Sequence, residues 1–207
     1  MSYTVFLILF AVVLGLLGGI FNLPFWLIIA AIFGLSLIRI GYIYYIVQLS
    51  QNTKTIHAFL EKNKKQLVYE YVLAIGNGSV TEQRRIIDAI LKKYPSQMMQ
   101  ATYKMNRALL ERDYTLAMQE IQPITEKPLG QYCIAMIYAL QGKHEQALQI
   151  PLKHPWQKAL VETIIAHNEQ AANYEDKKMQ AISLSRGIQR YINTYFLRDL
   201  EQQNEAV

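Results

Sequence analysis

"ALQGKHEQAL", residues 139–148, decides how this chain is to be read. An apolar, helix-forming run ends at Gly142. A polar residue follows, then the ring of His144, then a new helix-forming run holding the small Ala147. Glycine just past a helix end, with an immediate restart, predicts a tight helix–turn–helix. A lone hairpin would suit a chain built around a pocket. A repeated hairpin predicts a chain built as a binding surface.

The pattern recurs on both sides. "RDYTLAMQEI" begins at Arg112, "GKHEQALQI" at Gly142 and "ANYEDKKMQ" at Ala172, two equal steps of 30 residues. Tyr114, His144 and Tyr174 take equivalent places, as do Ala117, Ala147 and Lys177. Recurrence at a fixed interval, each copy opening a helix, predicts an internal repeat. Pro123 and Pro151 shorten the second helices of two pairs, because proline removes a backbone donor. An irregular helical bundle is the competing architecture.

The segment "IAMIYALQGKHEQAL", residues 134–148, resembles a tetratricopeptide repeat. Tyr138, Gly142, His144 and Ala147 fill that family's tyrosine, turn, aromatic and small-residue positions. The neighbouring copies depart from it, with Arg112 in place of glycine and Lys177 in place of the small residue. The interval is 30 residues, against about 34 in the family. The resemblance covers most of 96–180, and 55–95 reads as a more divergent pair. It implies stacked helix pairs whose first helices line a concave face that holds a peptide or protein. Carried over residue by residue, the inward positions are Thr102, Asn106, Tyr132 and Met136. Asn106 falls where the family places a peptide-holding asparagine. The family's basic clamp is not matched, so capture of a peptide carboxylate is not implied.

The other half of the reading comes from the amino-terminal 50 residues, whose single charged side chain is Arg39. Residues 3–21 and 25–45 form two apolar runs separated by "NLP" at 22–24. About 20 residues of helix span a bilayer core, so the pattern predicts a two-helix transmembrane hairpin. Gly15, Gly18, Gly19, Ala30, Ala31 and Gly34 are small enough to let the two helices approach closely. No Lys or Arg precedes the first run and no small-residue cleavage site follows it, so a cleaved signal peptide is not expected.

Charge sets the orientation. From Arg39 to Lys93 there are nine basic and four acidic residues; from Tyr94 onward there are twelve of each. The basic excess therefore sits beside the apolar segment, which favours a membrane surface over nucleic acid as the partner. Lys62, Lys64 and Lys65 follow the second run, so the positive-inside rule places both termini and the soluble part in the cytoplasm. Arg39 near the helix end, with Tyr42, Tyr44 and Tyr45 beyond it, is the pattern of an interfacial anchor.

From 51 to 207 the helical periodicity predicts further helices near 55–75, 81–93, 96–111, 114–122, 129–141, 155–172 and 175–203, with a short one before Pro151. Thr81 is the expected cap of the second of these. The acids of "ERD" and "YED" are expected to be solvated. His57, His144, His154 and His167 lack metal-binding spacing, His144 is expected to be a packing ring, and Cys133 stands alone as a buried thiol. No cofactor, metal or catalytic group is expected. The sequence thus predicts an all-α chain: an N-terminal two-helix transmembrane hairpin over 1–50, then a cytoplasmic tetratricopeptide-like helical-repeat domain over 51–207. The expected function is a membrane-anchored scaffold for a peptide or protein client. The alternatives are a regulatory or assembly subunit of a membrane transport or secretion complex, and a hydrolase or transferase with a hidden site.

Overall fold

The computed structural model describes residues 3–20 and 24–205, and every regular element among them is helical. The chain divides into two compact units between Ile46 and Val47.

The first unit holds α1 (Tyr3–Ile20) and α2 (Phe25–Tyr44), which touch one another. A π-helical turn, Tyr45–Leu49, continues α2. Phe25–Leu49 has a mean hydropathy of 2.0 and is long and apolar enough to cross a membrane. No residue of α2 is buried, and Phe25 and Ile38 are 73% and 70% exposed. Apolar chains exposed on this scale are unfavourable in water and favourable in lipid. Among the described residues, a methyl added at Gly15, Gly19 or Gly34 would meet nothing within 4 Å. The connection at Asn22 and Leu23 and the packing of Gly18 lie outside the described residues.

The second unit begins with α3 (Thr53–Asn63), α4 (Leu67–Asn77) and α5 (Val80–Lys93). It continues through α6 (Gln97–Leu110), α7 (Tyr114–Ile121), α8 (Pro128–Leu140) and α9 (His144–Gln149). It ends with α10 (Pro155–Asn168), α11 (Tyr174–Leu184) and α12 (Gly187–Glu205). Side chains start several of these helices. Asn52 accepts from the backbone N–H groups of Lys54 and Thr55, Ser96 from Met99, and Asp113 from Leu116. Each satisfies a donor that the first turn leaves orphaned. Pro128 and Pro155 open α8 and α10, where the missing N–H costs nothing.

Three expectations need correction. The helix expected over 55–75 is two, because "EKNKKQ" at 61–66 has no apolar side chain to bury. Asn63 instead turns back and donates to the Phe59 carbonyl at 2.7 Å. The cap of α5 is Ser79, not Thr81. The helix expected over 175–203 is also two, broken at Ser185 and Arg186.

The turns after α6, α8 and α10 close in the same way. Each has one residue in the left-handed region: Arg112 at φ 56°, Gly142 at 74° and Gln170 at 52°. In each, the next N–H reaches back to a carbonyl five residues earlier: Asp113 to Ala108, Lys143 to Tyr138 and Ala171 to Ala166, all at 2.9 Å. This doubly bonded cap satisfies the last carbonyls of the first helix. The third turn is longer, so Tyr174 still opens its helix as Tyr114 and His144 do. Ala117 and Ala147 are fully buried where their helices meet the core. Lys177 does not take that role; it pairs with Glu162 at 3.3 Å, and Ala181 provides the buried small residue of α11.

The main core joins α6, α7, α8, α10 and α12 through Met105, Ile121, Ile137, Leu160, Ile164 and Leu197. Burying each such side chain is worth about 1.5–3 kcal/mol. The chain then returns on itself. α12 packs against α3 and α4, although they are far apart in sequence. The Gly187 N–H donates to the Ser50 carbonyl at 2.7 Å, and a side chain at Gly187 would collide with the Val47 carbonyl. Tyr191 is buried against Gly76 of α4, and its hydroxyl meets Nδ1 of His57 at 2.9 Å. Arg198 adds a bond to the Gly76 carbonyl at 3.2 Å.

The shared turn geometry gives substitutions of opposite sign. Gly142→Ala puts a Cβ into the left-handed region and lowers stability by about 1 kcal/mol. Gln170→Gly relieves that strain and raises stability. Thermal unfolding of the full chain in detergent checks both, and a fall in both variants would contradict the account.

Candidate functional site

Thr102 and Asn106 lie four residues apart, on one face of α6; Tyr132 and Met136 do the same on α8. A short 3-10 turn, Gln122–Ile124, touches both helices and links them. Thr102, Asn106 and Met136 are half-buried. The Thr102 hydroxyl oxygen is buried and has no hydrogen-bond partner among the described residues. Tyr132 is enclosed. It is only 7% exposed and packs edge-on against Trp156, with ring centroids 5.1 Å apart. Burial, and then the neighbouring Cys133, raise its hydroxyl pKa. Tyr132 is therefore a core ring. Two shallow depressions, at Gln51–Lys54 and at Gly142–Gln146, include none of these four residues.

His144 does more than pack. Its Nδ1 meets a Glu169 carboxylate oxygen at 2.8 Å, while Nε2 is buried with no hydrogen-bond partner among the described residues. Asn168 donates to the Ala139 carbonyl at 2.8 Å beside it. These bonds tie the start of α9 and the end of α8 to the end of α10. The turn acids Glu111, Asp113, Glu175 and Asp176 are exposed, as expected, and three of them also make surface contacts. Asp113 caps α7, Glu111 lies 3.6 Å from Arg84, and Glu175 lies 3.4 Å from Lys178. Cys133 is buried, and burial pushes its thiol up to about 12, so it is a poor nucleophile at neutral pH. Among the described residues no three His, Cys, Asp or Glu side chains gather as a metal site would require.

The residues expected at a membrane interface separate into two groups. Arg39 is half-buried, and Tyr42, Tyr44 and Tyr45 are more than half exposed along the end of the apolar helix. Lys62, Lys64 and Lys65 stand at the far end of α3, and Lys64 pairs with Glu61 at 3.0 Å. The 11 residues of α3 rise about 16 Å, so these lysines stand one helix length beyond Asn52. Arg186 directly precedes Gly187, whose N–H bonds to the Ser50 carbonyl just past the apolar helix, and Lys54 follows four residues after Ser50. Nothing local in the sequence marks Arg186; only the glycine after it hints at the break.

The chain matches no family model, no curated protein and no solved structure in the comparisons made with each.

Buried phenols and the buried thiol give the second unit a defined alkaline limit. Tyr103 and Tyr191 hold their protons to about 12, against an ordinary 10.0. Burial is the main cause for both, followed by Tyr94 for Tyr103 and by Tyr195 for Tyr191. Between these values the unfolded chain has lost protons that the folded chain keeps, so stability falls as pH rises. The denaturation midpoint is expected to be level up to about pH 9 and to drop steadily from about pH 10 to 12. Tyr191→Phe removes part of the slope. A midpoint independent of pH over that range would contradict the burial of these hydroxyls.

Proposed function

We propose that this chain is a membrane-anchored protein-interaction scaffold. α1 and α2 form a two-span hairpin, and the second unit is a tetratricopeptide-like helical-repeat domain on the cytoplasmic side. The observation that carries this reading is the recurrence of one turn geometry after α6, α8 and α10, in a chain that begins with an exposed apolar helix. Helices satisfy their own backbone groups, which lipid cannot do, so an apolar hairpin is a stable anchor. The segment between the two runs, residues 22–24, has no Lys or Arg, whereas Lys54 and the later lysines lie beyond the second run, which supports the cytoplasmic orientation.

The partner in this reading is an extended peptide or a protein surface. It lies over α6 and α8, where Asn106 and Met136 are partly open and Tyr132 and Trp156 hold the floor. Thr102 lies on the same face of α6 as Asn106. Anchoring raises the local concentration of the surface for clients at the same membrane. No step of this function requires chemistry on the client.

Photocrosslinking from Met98, which is exposed and lies four residues before Thr102 on the same face of α6, tests the reading in the full chain in its native membrane. One defined client is expected, and Asn106→Ala with Met136→Ala should lower its yield roughly tenfold or more, since partly buried contacts are worth over 1 kcal/mol each. An unchanged yield would overturn the assigned face. Loss of capture only when residues 1–46 are replaced by an unrelated hairpin would assign recognition to the spans instead.

A further inference from the structure

We propose that the turn joining α11 to α12 is a second membrane-contact point. Leu184 enters the lipid interface there, while Arg186 and Lys54 engage anionic headgroups. The proposal rests on the reading of Phe25–Leu49 as a membrane span.

Placement is the first argument. The span ends at Leu49, and the next residue, Ser50, accepts the Gly187 N–H at 2.7 Å. Val47, inside the span's last turn, lies so close to Gly187 that only a residue without a side chain fits. The turn at 184–187 therefore lies against the last residues of the apolar helix, at the level where hydrocarbon gives way to headgroups.

Rigidity and direction are the second. Ser185 is extended at ψ 146°, and accessibility alternates through the turn. Leu184 and Arg186 are exposed, whereas Ser185 and Gly187 are buried. Ser185 donates to the Ala181 carbonyl at 2.7 Å and accepts from Asn193 at 2.8 Å, with both side chains buried. Arg190 clamps the end of α11 through the Ile182 carbonyl at 2.6 Å. An apolar and a cationic side chain are thus held outward together on a fixed turn. Leucine beside arginine is the pairing that an interface accommodates, one in the acyl boundary and the other among phosphates.

Charge is the third. Neither segment that meets at this junction, 47–60 or 177–198, contains an Asp or Glu. The other cations of 177–198 are engaged: Lys177 with Glu162, Lys178 with Glu175 and Glu201, Arg190 with the Ile182 carbonyl, and Arg198 with Asp199. Lys54 and Arg186 are exposed and make no ion pair with another described residue. Two unpaired cations on segments that carry no carboxylate and meet just past the span are complementary to an anionic bilayer surface. Each such cation contributes about fivefold to occupancy of that surface.

The test uses the full chain, with Cys133→Ala, reconstituted into vesicles of phosphatidylcholine with or without phosphatidylglycerol. A polarity-sensitive fluorophore is placed at Ser183→Cys, and in a second sample at Leu37→Cys within the span. The proposal expects the label at 183 to be blue-shifted and quenched by lipids carrying a headgroup-level quencher, more strongly in the anionic vesicles. Arg186→Gln and Lys54→Gln should each lower the docked-to-undocked ratio about fivefold, while circular dichroism stays unchanged. A label at 183 that stays in water in both vesicle types, while the label at 37 is quenched by acyl-chain quenchers, would overturn this proposal and leave the span intact. A label at 37 that also stays in water would overturn the span, and the lipid contact with it.

Discussion

The return of α12 onto α3 and α4 is the constraint on which the second unit depends. Three features enforce it. Gly187 leaves no room for a side chain against Val47, Tyr191 fills the space left by Gly76, and Asn193 and Ser185 satisfy one another in the interior. Without that return, Tyr191 and Leu197 would be exposed on a loose helix, and Ile56, Phe59 and Leu60 of α3 would lose part of their cover. The closure joins residues nearly 140 positions apart, from Ser50 to Gly187. Such long-range contacts cost loop-closure entropy before they reward it, so they are made by large buried side chains rather than by surface ion pairs.

Closure also changes what the helix pairs can do. In an open stack of helical repeats, each pair touches only its neighbours, and the inner face is exposed along its length. Here α12 contributes Leu197 to the same core as Met105 and Leu160, so helices distant in sequence share one interior. Tyr132 shows the consequence: a position that the family resemblance turns inward lies under Trp156.

Much of this was legible in the sequence. The charge boundary after Arg39, the turn glycine at 142, and the equal spacing of Tyr114, His144 and Tyr174 each have a local physical cause, and each marks an element boundary. What stayed hidden was set by distant contacts. "SLSRG" at 183–187 reads as part of one long helix, because Ser and Arg are tolerated there and Gly187 costs only about 1 kcal/mol in a helix interior. The break exists because Ser50 and Val47 are waiting for it, and no window of local sequence contains both partners. The same limit explains His144. Its place in the turn was visible, but its partner Glu169 comes from another helix pair.

Hydrogen–deuterium exchange on the full chain in lipid nanodiscs tests the closure most directly. The amides of α12 around Tyr191–Leu197 should be as strongly protected as those of α3 and α4. Gly187→Val should expose all three helices together, while the turn at Gly142 keeps its protection. Fast exchange of α12 in the unsubstituted chain, or exposure of α12 alone in the variant, would contradict the account.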